Sequence, residues 1–198
     1  MITIGLTGNI ASGKSMVSRQ LKELGAVIID ADLVARKIVE PGSPIIYEIS
    51  QAFGEKVLNS DGTLDRKKLG RIVFADPKAL EKLNQITHPK IRKVIEGKIK
   101  DLKNKSGILV IDAPLLIEVG LHCMVDQVWV VLVDRDIQLQ RLKIRDNLSE
   151  KEARQRIASQ LPQEEKIKYA DKIILNNGSP EKLRAIVNKL WKEFSLHY

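Results

Sequence analysis

A single cysteine, Cys123, stands in the 198 residues. One thiol rules out an intrachain disulfide and fits a reducing cytoplasm. It is expected as a small buried hydrophobe, not a nucleophile. Aromatic residues make up only 4%, too few for repeated base-stacking platforms. No zinc-finger spacing or RRM-type aromatic motif is present. No apolar run approaches the roughly 18 residues that span a bilayer. The amino terminus MITIGLTGNI has neither the basic region nor the cleavage site of a signal peptide, so a cytoplasmic protein is expected. Internal repeats and low-complexity segments are also missing.

What remains is an ordinary globular composition, 43% hydrophobic and 29% charged, with a formal net charge of +8. An excess of cations favours anionic partners. The basic residues are spread along the chain instead of gathered in a tail. Phosphorylated small molecules suit that distribution better than nucleic acid or a membrane surface, and no obligate protein partner is evident.

Five short apolar runs read as strands: ITIGLT (2–7), AVIID (26–30), GILVID (107–112), QVWVVLV (127–133) and KIILN (172–176). They are nearly continuous, not alternating, as strands covered on both faces are. Helical patterns lie between them, at Lys14 to Leu24, around Ile91 to Leu102, and from Pro180 to Phe194. The alternation predicts a parallel, five-stranded, doubly wound α/β sheet flanked by helices. The interval 31–106 is far longer than a simple crossover needs and mostly helical, so it reads as an inserted helical subdomain. A second charged, helical interval, about 138–168, separates the fourth and fifth strands. The core of a single domain is left at about 1–30, 107–137 and 169–198.

The first strand runs into Gly8-Asn9-Ile10-Ala11-Ser12-Gly13-Lys14-Ser15, which fits G-x-x-x-x-G-K-[ST], the Walker A pattern. Glycines let the backbone curl so that successive N–H groups point at phosphate oxygens, and the following helix adds its positive end. Gly8, Ala11, Ser12, Gly13, Lys14, Ser15 and Met16 are the expected nucleotide contacts. Lys14 is expected on the β- and γ-phosphates of ATP and the Ser15 hydroxyl on Mg²⁺. Asp112, ending the third strand, suits a Walker B carboxylate for Mg²⁺ or a strand-end polar residue. Asp30-Ala31-Asp32 ends the second strand. Phosphoryl transfer to a hydroxyl needs a carboxylate to accept or orient its proton, and helix capping is the competing reading.

The chain resembles the dephospho-coenzyme A kinase family over essentially its whole length. The resemblance rests on GLTGNIASGKS, IDADLVAR (29–36), ITHPKI (86–91), APLLIE (113–118), QLQRLKIRDNLSEKEARQRIASQ (138–160) and ADKIILNNG (170–178). It implies a P-loop nucleotide-kinase-like fold with an acceptor-binding insert and a helical lid. The implied reaction moves the γ-phosphate of ATP to the ribose 3′-hydroxyl of dephospho-coenzyme A, the last step of coenzyme A synthesis. It also implies Asp32 as the base or hydroxyl-orienting group, with Lys14 and Arg141 as its catalytic companions. Arg36, His88, Leu115, Leu116 and Glu118 are then expected at the acceptor, and Arg141, Arg145 and Asn176 at the nucleotide. For His88 the alternative is a helix-starting Thr-His-Pro, and for Leu115 and Leu116 it is the core. Arg141 and Arg145, four apart on one helix face, suit a phosphate clamp. Asn9 and Ala11 replace glycines of the family's usual loop, which is expected to alter loop geometry slightly. His122 and His197 are expected at the surface. The rival readings are a nucleoside or nucleotide monophosphate kinase and a P-loop nucleic-acid-binding NTPase.

Overall fold

The computed structural model of the chain describes residues 1–102 and 107–195. The first strand, β1 (Ile2–Gly8), carries no charge and is buried from Thr3 onward. It passes through the glycine-containing turn into α1 (Lys14–Glu23), which faces Val17 and Leu21 inward. β2 (Val27–Asp30) leads directly into α2 (Ala31–Lys37). The Asp30 carboxylate accepts from the Leu33 amide at 3.0 Å, satisfying one of the unpaired N–H groups that open a helix. α3 (Pro44–Phe53) begins on a proline, whose missing N–H has no partner to lose there. α4 (Arg66–Ala75) is capped by Asp65, and α5 (Pro77–Leu102) follows. Ile45, Ile49, Val57, Leu69 and Val73 form the core of these helices, with Leu80, Leu83 and Ile86 packed against it.

β3 (Ile108–Asp112) is buried throughout, and β4 (Gln127–Leu132) nearly so. Between β4 and the last strand come α6 (Arg135–Asp146), α7 (Glu150–Ala158) and α8 (Gln163–Ile167). α6 stops at Asn147, which takes φ 50°, a left-handed conformation that asparagine tolerates better than most residues. Ser149 and Glu152 then open α7 with a reciprocal capping box. β5 (Lys172–Leu175) and α9 (Pro180–Ser195) complete the described chain.

The strands form one sheet in the order β2-β3-β1-β4-β5, with parallel pairings of β1 to β3, β1 to β4 and β4 to β5. The five strands predicted from apolar runs are those observed, each within a residue or two. Successive connections step outward to β2, return to β3 and then cross to β4. The order therefore reverses at β1, and ligands of such sheets gather at the carboxyl edge beside that point. Leu6 lies opposite Asp112 and Gly8 opposite Val131, so the turn after β1 emerges between the ends of β3 and β4. One face of the sheet is sealed by Ile4, Leu6, Val110, Trp129 and Val131 packed on Val17, Leu21, Leu183, Val187 and Phe194 of α1 and α9. Each such side chain contributes about 1.5–3 kcal/mol on leaving water.

The chain divides into two compact units, Met1–Ile29 with Leu102–Tyr198, and Asp30–Asp101. Among the described residues, no helix is long and apolar enough to cross a membrane. One alternative falls and one expectation is corrected. Thr87-His88-Pro89 does not start a helix, because α5 begins at Pro77 and runs through Pro89. Cys123 is exposed, not buried: in the 3-10 turn Leu121–Met124 the buried side chain is Leu121.

Candidate active site

The turn after β1 is shaped by what its residues leave out. A Cβ on Gly8 would lie 2.7 Å from the Val131 carbonyl oxygen, so only glycine fits against β4 there. Gly13 needs glycine twice over, for its φ of 90° and because Asn176 Nδ2 occupies the space a side chain would fill. That nitrogen donates to the Ser12 carbonyl at 2.8 Å, tying the turn to the end of β5. Ala11 takes φ 60°, which costs an L-residue about 1–2 kcal/mol, so its methyl group does not keep the backbone out of the left-handed region. No side chain caps the start of α1. The Met16 amide already donates to the Gly13 carbonyl at 2.9 Å, which leaves the Lys14 and Ser15 amides at the start of α1 open to an external acceptor. Ser12 Oγ is enclosed without a partner, a polar group of the kind that native proteins rarely leave unsatisfied.

Lys14, first in α1, forms an ion pair with Asp112. The β1–β3 register places that carboxylate next to the turn. The two side chains are only 16% and 10% exposed. Ser15 follows, exposed, on the first turn of α1. Cation and carboxylate thus meet at the reversal point of the sheet, with Ser15 on the adjoining first turn of α1, where open helix amides favour an anion.

Behind this pair lies a second one, which sequence reasoning missed. Lys166 of α8 is almost fully buried, and its Nζ lies 2.9 Å from Glu118 Oε1 and 2.6 Å from the Pro114 carbonyl oxygen. Burial pushes its pKa down from the ordinary lysine value, Glu118 pulls it back up, and the charge of Lys14 pushes it down again. Of the expected acceptor contacts on this segment, Leu115 is 44% exposed and Glu118 is partly so. Leu116 is corrected to a core residue: it has no accessible surface and packs under Gly5.

The helices after β4 are fastened to the turn. Asn9 Nδ2 donates to the Leu161 carbonyl at 2.9 Å, the Ile10 amide to Gln160 Oε1 at 2.7 Å, and Gln138 Nε2 to the Ile10 carbonyl at 2.9 Å. Ile10 and Ala11 also pack on Leu139, Leu142 and Ala153. Arg141 donates to the carbonyls of Asn176 at 2.9 Å and Gly178 at 3.2 Å. Arg145, one turn further, binds both oxygens of Asp146 instead, and these bonds hold the Asp146 carboxyl below its ordinary range, with Arg156 helping. Met16 is exposed beside the turn and helps line a groove of about 330 Å³ between α1 and α9.

Asp32, Arg36 and His88 belong to the Asp30–Asp101 unit. The Asp30–Asp32 ambiguity resolves locally: Asp30 is the cap, and Asp32 sits exposed in the first turn of α2. Arg36 is exposed on the same helix, and its carbonyl accepts from Arg66 at 3.0 Å. His88 is half-buried on α5, and burial lowers its pKa. His122 is partly buried, edge-on to Tyr169, and His197 lies outside the described residues. Nothing in the sequence flags Lys166, Gln138 or Gln160; all three are polar residues in a stretch whose helical pattern leaves polar positions facing solvent.

The family model described as dephospho-CoA kinase matches residues 2–182. Dephospho-CoA kinase of Geobacter sulfurreducens is 51% identical over 193 residues, covering 96% of this chain and 98% of that protein. The solved dephospho-CoA kinase of Campylobacter jejuni superposes with a TM-score of 0.76 at 34% identity, over 98% of both chains. A shikimate kinase from Acinetobacter baumannii, at 17% identity and a TM-score of 0.56 over 100% of this chain and 94% of that one, shares the fold alone. The turn with its lysine and carboxylate and the match along nearly the whole chain agree, and the chain belongs to the dephospho-CoA kinase family.

Proposed function

We propose that this kinase transfers the γ-phosphate of ATP to the ribose 3′-hydroxyl of dephospho-coenzyme A, giving coenzyme A and ADP in the cytoplasm. The observation that carries the reading is the Lys14–Asp112 pair at the mouth of the Gly8–Ser15 turn, in a chain matched by its family from residue 2 to 182. The open amides at the start of α1, those of Lys14 and Ser15, and the backbone of the turn ahead of them cradle the triphosphate, and Lys14 leaves Asp112 to neutralise the β- and γ-oxygens. The Ser15 hydroxyl and the freed Asp112 carboxylate would hold Mg²⁺. Two protein oxygens supplemented by phosphate and water suit that ion, and among the described residues there is no cluster of three acidic, histidine or cysteine ligands to hold a metal alone. Bound there, Mg²⁺ would offset charge on the phosphate oxygens.

Asp32 orients the acceptor hydroxyl and takes its proton, and Arg36, His88, Leu115 and Glu118 recognise the rest of the acceptor. Residues 31–106 make up the acceptor subdomain. Residues 138–168 act as the lid that excludes water, with Arg141 and Arg145 on the nucleotide phosphates and Asn176 and Met16 beside the nucleoside. Purified protein supplied with ATP and, in parallel, dephospho-coenzyme A, nucleoside monophosphates or oligonucleotides tests the reading. Rapid turnover is expected with the first alone. Asp32→Asn should lower kcat by about 100-fold or more with ATP affinity retained. Turnover confined to nucleoside monophosphates, or an Asp32→Asn enzyme as fast as the wild type, would refute it.

A further inference from the structure

Lys166 is 1% exposed. A buried ammonium is costly, and an apolar side chain of similar volume often serves stability as well or better. What Lys166 supplies is a fixed link. Its Nζ reaches the carbonyl that opens the segment Pro114–Glu118 and the carboxylate that closes it, at 2.6 and 2.9 Å. Thr7 Oγ1 donates to the same Pro114 carbonyl at 3.1 Å, from β1 just ahead of the phosphate turn. The helix carrying Lys166 is itself anchored. Gln163 Oε1 accepts from the Val133 amide at 3.1 Å, and Gln163 Nε2 donates to the Val133 carbonyl at 3.0 Å. One short helix therefore joins three things: the end of β4, the return of the segment 138–168, and the loop that leaves β3 directly after Asp112.

We infer that Lys166 is a positioning residue for phosphoryl transfer, fixing Pro114–Glu118 so that Leu115 and Glu118 meet the acceptor in a single orientation. The inference rests on the acceptor role proposed above for that segment. An ammonium gripping both ends of a five-residue loop restricts it more than either bond alone. Leu116, sunk under Gly5, forms the pivot between them. Sub-ångström control matters here because a displacement of about 1 Å at a reacting group can cost about 100-fold in rate.

The test compares Lys166→Met and Lys166→Arg with the wild type in steady-state kinetics and in amide hydrogen exchange of the ligand-free protein. Lys166→Met should raise KM for dephospho-coenzyme A by about 10- to 100-fold and lower kcat, with KM for ATP within about twofold of normal. Lys166→Arg, which keeps the charge and the donors, should recover part of the loss. The amides of Val119, Gly120 and Leu121, which donate to Leu115, Ile117 and Leu116 carbonyls, should exchange faster in Lys166→Met. Equal damage to both substrates, an arginine variant as poor as methionine, or unchanged exchange would each overturn the proposal. If the wild type fails to phosphorylate dephospho-coenzyme A, the acceptor reading is what fails. The exchange measurement still decides whether Lys166 holds the loop. Should Lys166→Met not fold, Lys166→Gln keeps a donor for Pro114 and carries the same comparison.

Discussion

Breaking the Lys14–Asp112 pair should weaken the ligand-free protein as well as stop catalysis. Lys14→Met leaves the Asp112 carboxylate largely enclosed with its counter-charge gone. Removing one partner of a fully buried pair costs about 3–5 kcal/mol, whereas exposed pairs are worth about 0–1 kcal/mol. With side chains 16% and 10% exposed at the mouth of a turn, an intermediate cost of about 2 kcal/mol follows. For a chain of this size that corresponds to a fall in Tm of about 4–8 °C. Asp112→Asn should cost somewhat less, since the amide oxygen can still accept from Lys14. The double variant should be more stable than the sum of the single losses by about 1–2 kcal/mol, because its last step no longer strands a charge. Urea unfolding without nucleotide, followed through the fluorescence of Trp129 and Trp191 in the same unit, measures all four proteins. Losses that add to within about 0.3 kcal/mol would refute the reasoning, because the two groups would then not interact.

Two further outcomes follow from single residues. His88 has its pKa lowered from 6.5 by burial, so the unfolded chain binds its proton more readily than the native one. Stability should therefore rise with pH up to about 6.5 and fall below it, and His88→Gln should flatten that slope; parallel urea midpoints for the two proteins from about pH 5 to 7.5 would contradict it. Asn9→Gly removes the bond to Leu161, worth about 1 kcal/mol net, and should speed proteolysis in the α7–α8 connection with little change at other sites. Identical cleavage rates would leave the Asn9 bond without a role in holding that segment.

The elements that a sequence announces are those whose chemistry is local. Gly8, Gly13 and Lys14 stand at fixed offsets because the curl of one short turn requires them, and the strands are continuous apolar runs because both faces are covered. Leu115 and Leu116 show the limit. They are neighbours of the same type, and only the approach of Gly5 decides which one is buried. By spacing alone Asp30 and Asp32 are equivalent, and the start of α2 at Ala31 makes the first its cap. Lys166 was invisible because its partners lie 48 and 52 residues away, across β4, α6 and α7. The same distance dependence explains the arginines. Their spacing on α6 was legible, but their partners were not. Arg141 is engaged with the carbonyls after β5, and Arg145 with its own neighbour Asp146. These engagements differ in what a phosphate would have to displace. Arg145 is itself exposed and exchanges the partly buried Asp146 carboxylate, which keeps Arg156, for another anion, at a cost of about 1 kcal/mol or less. Arg141 gives up two carbonyls that help define the loop against Gly13. Of the two proposed clamps, Arg145 is the one with less to give up, and Arg141 the one that already holds the stretch after β5 in place.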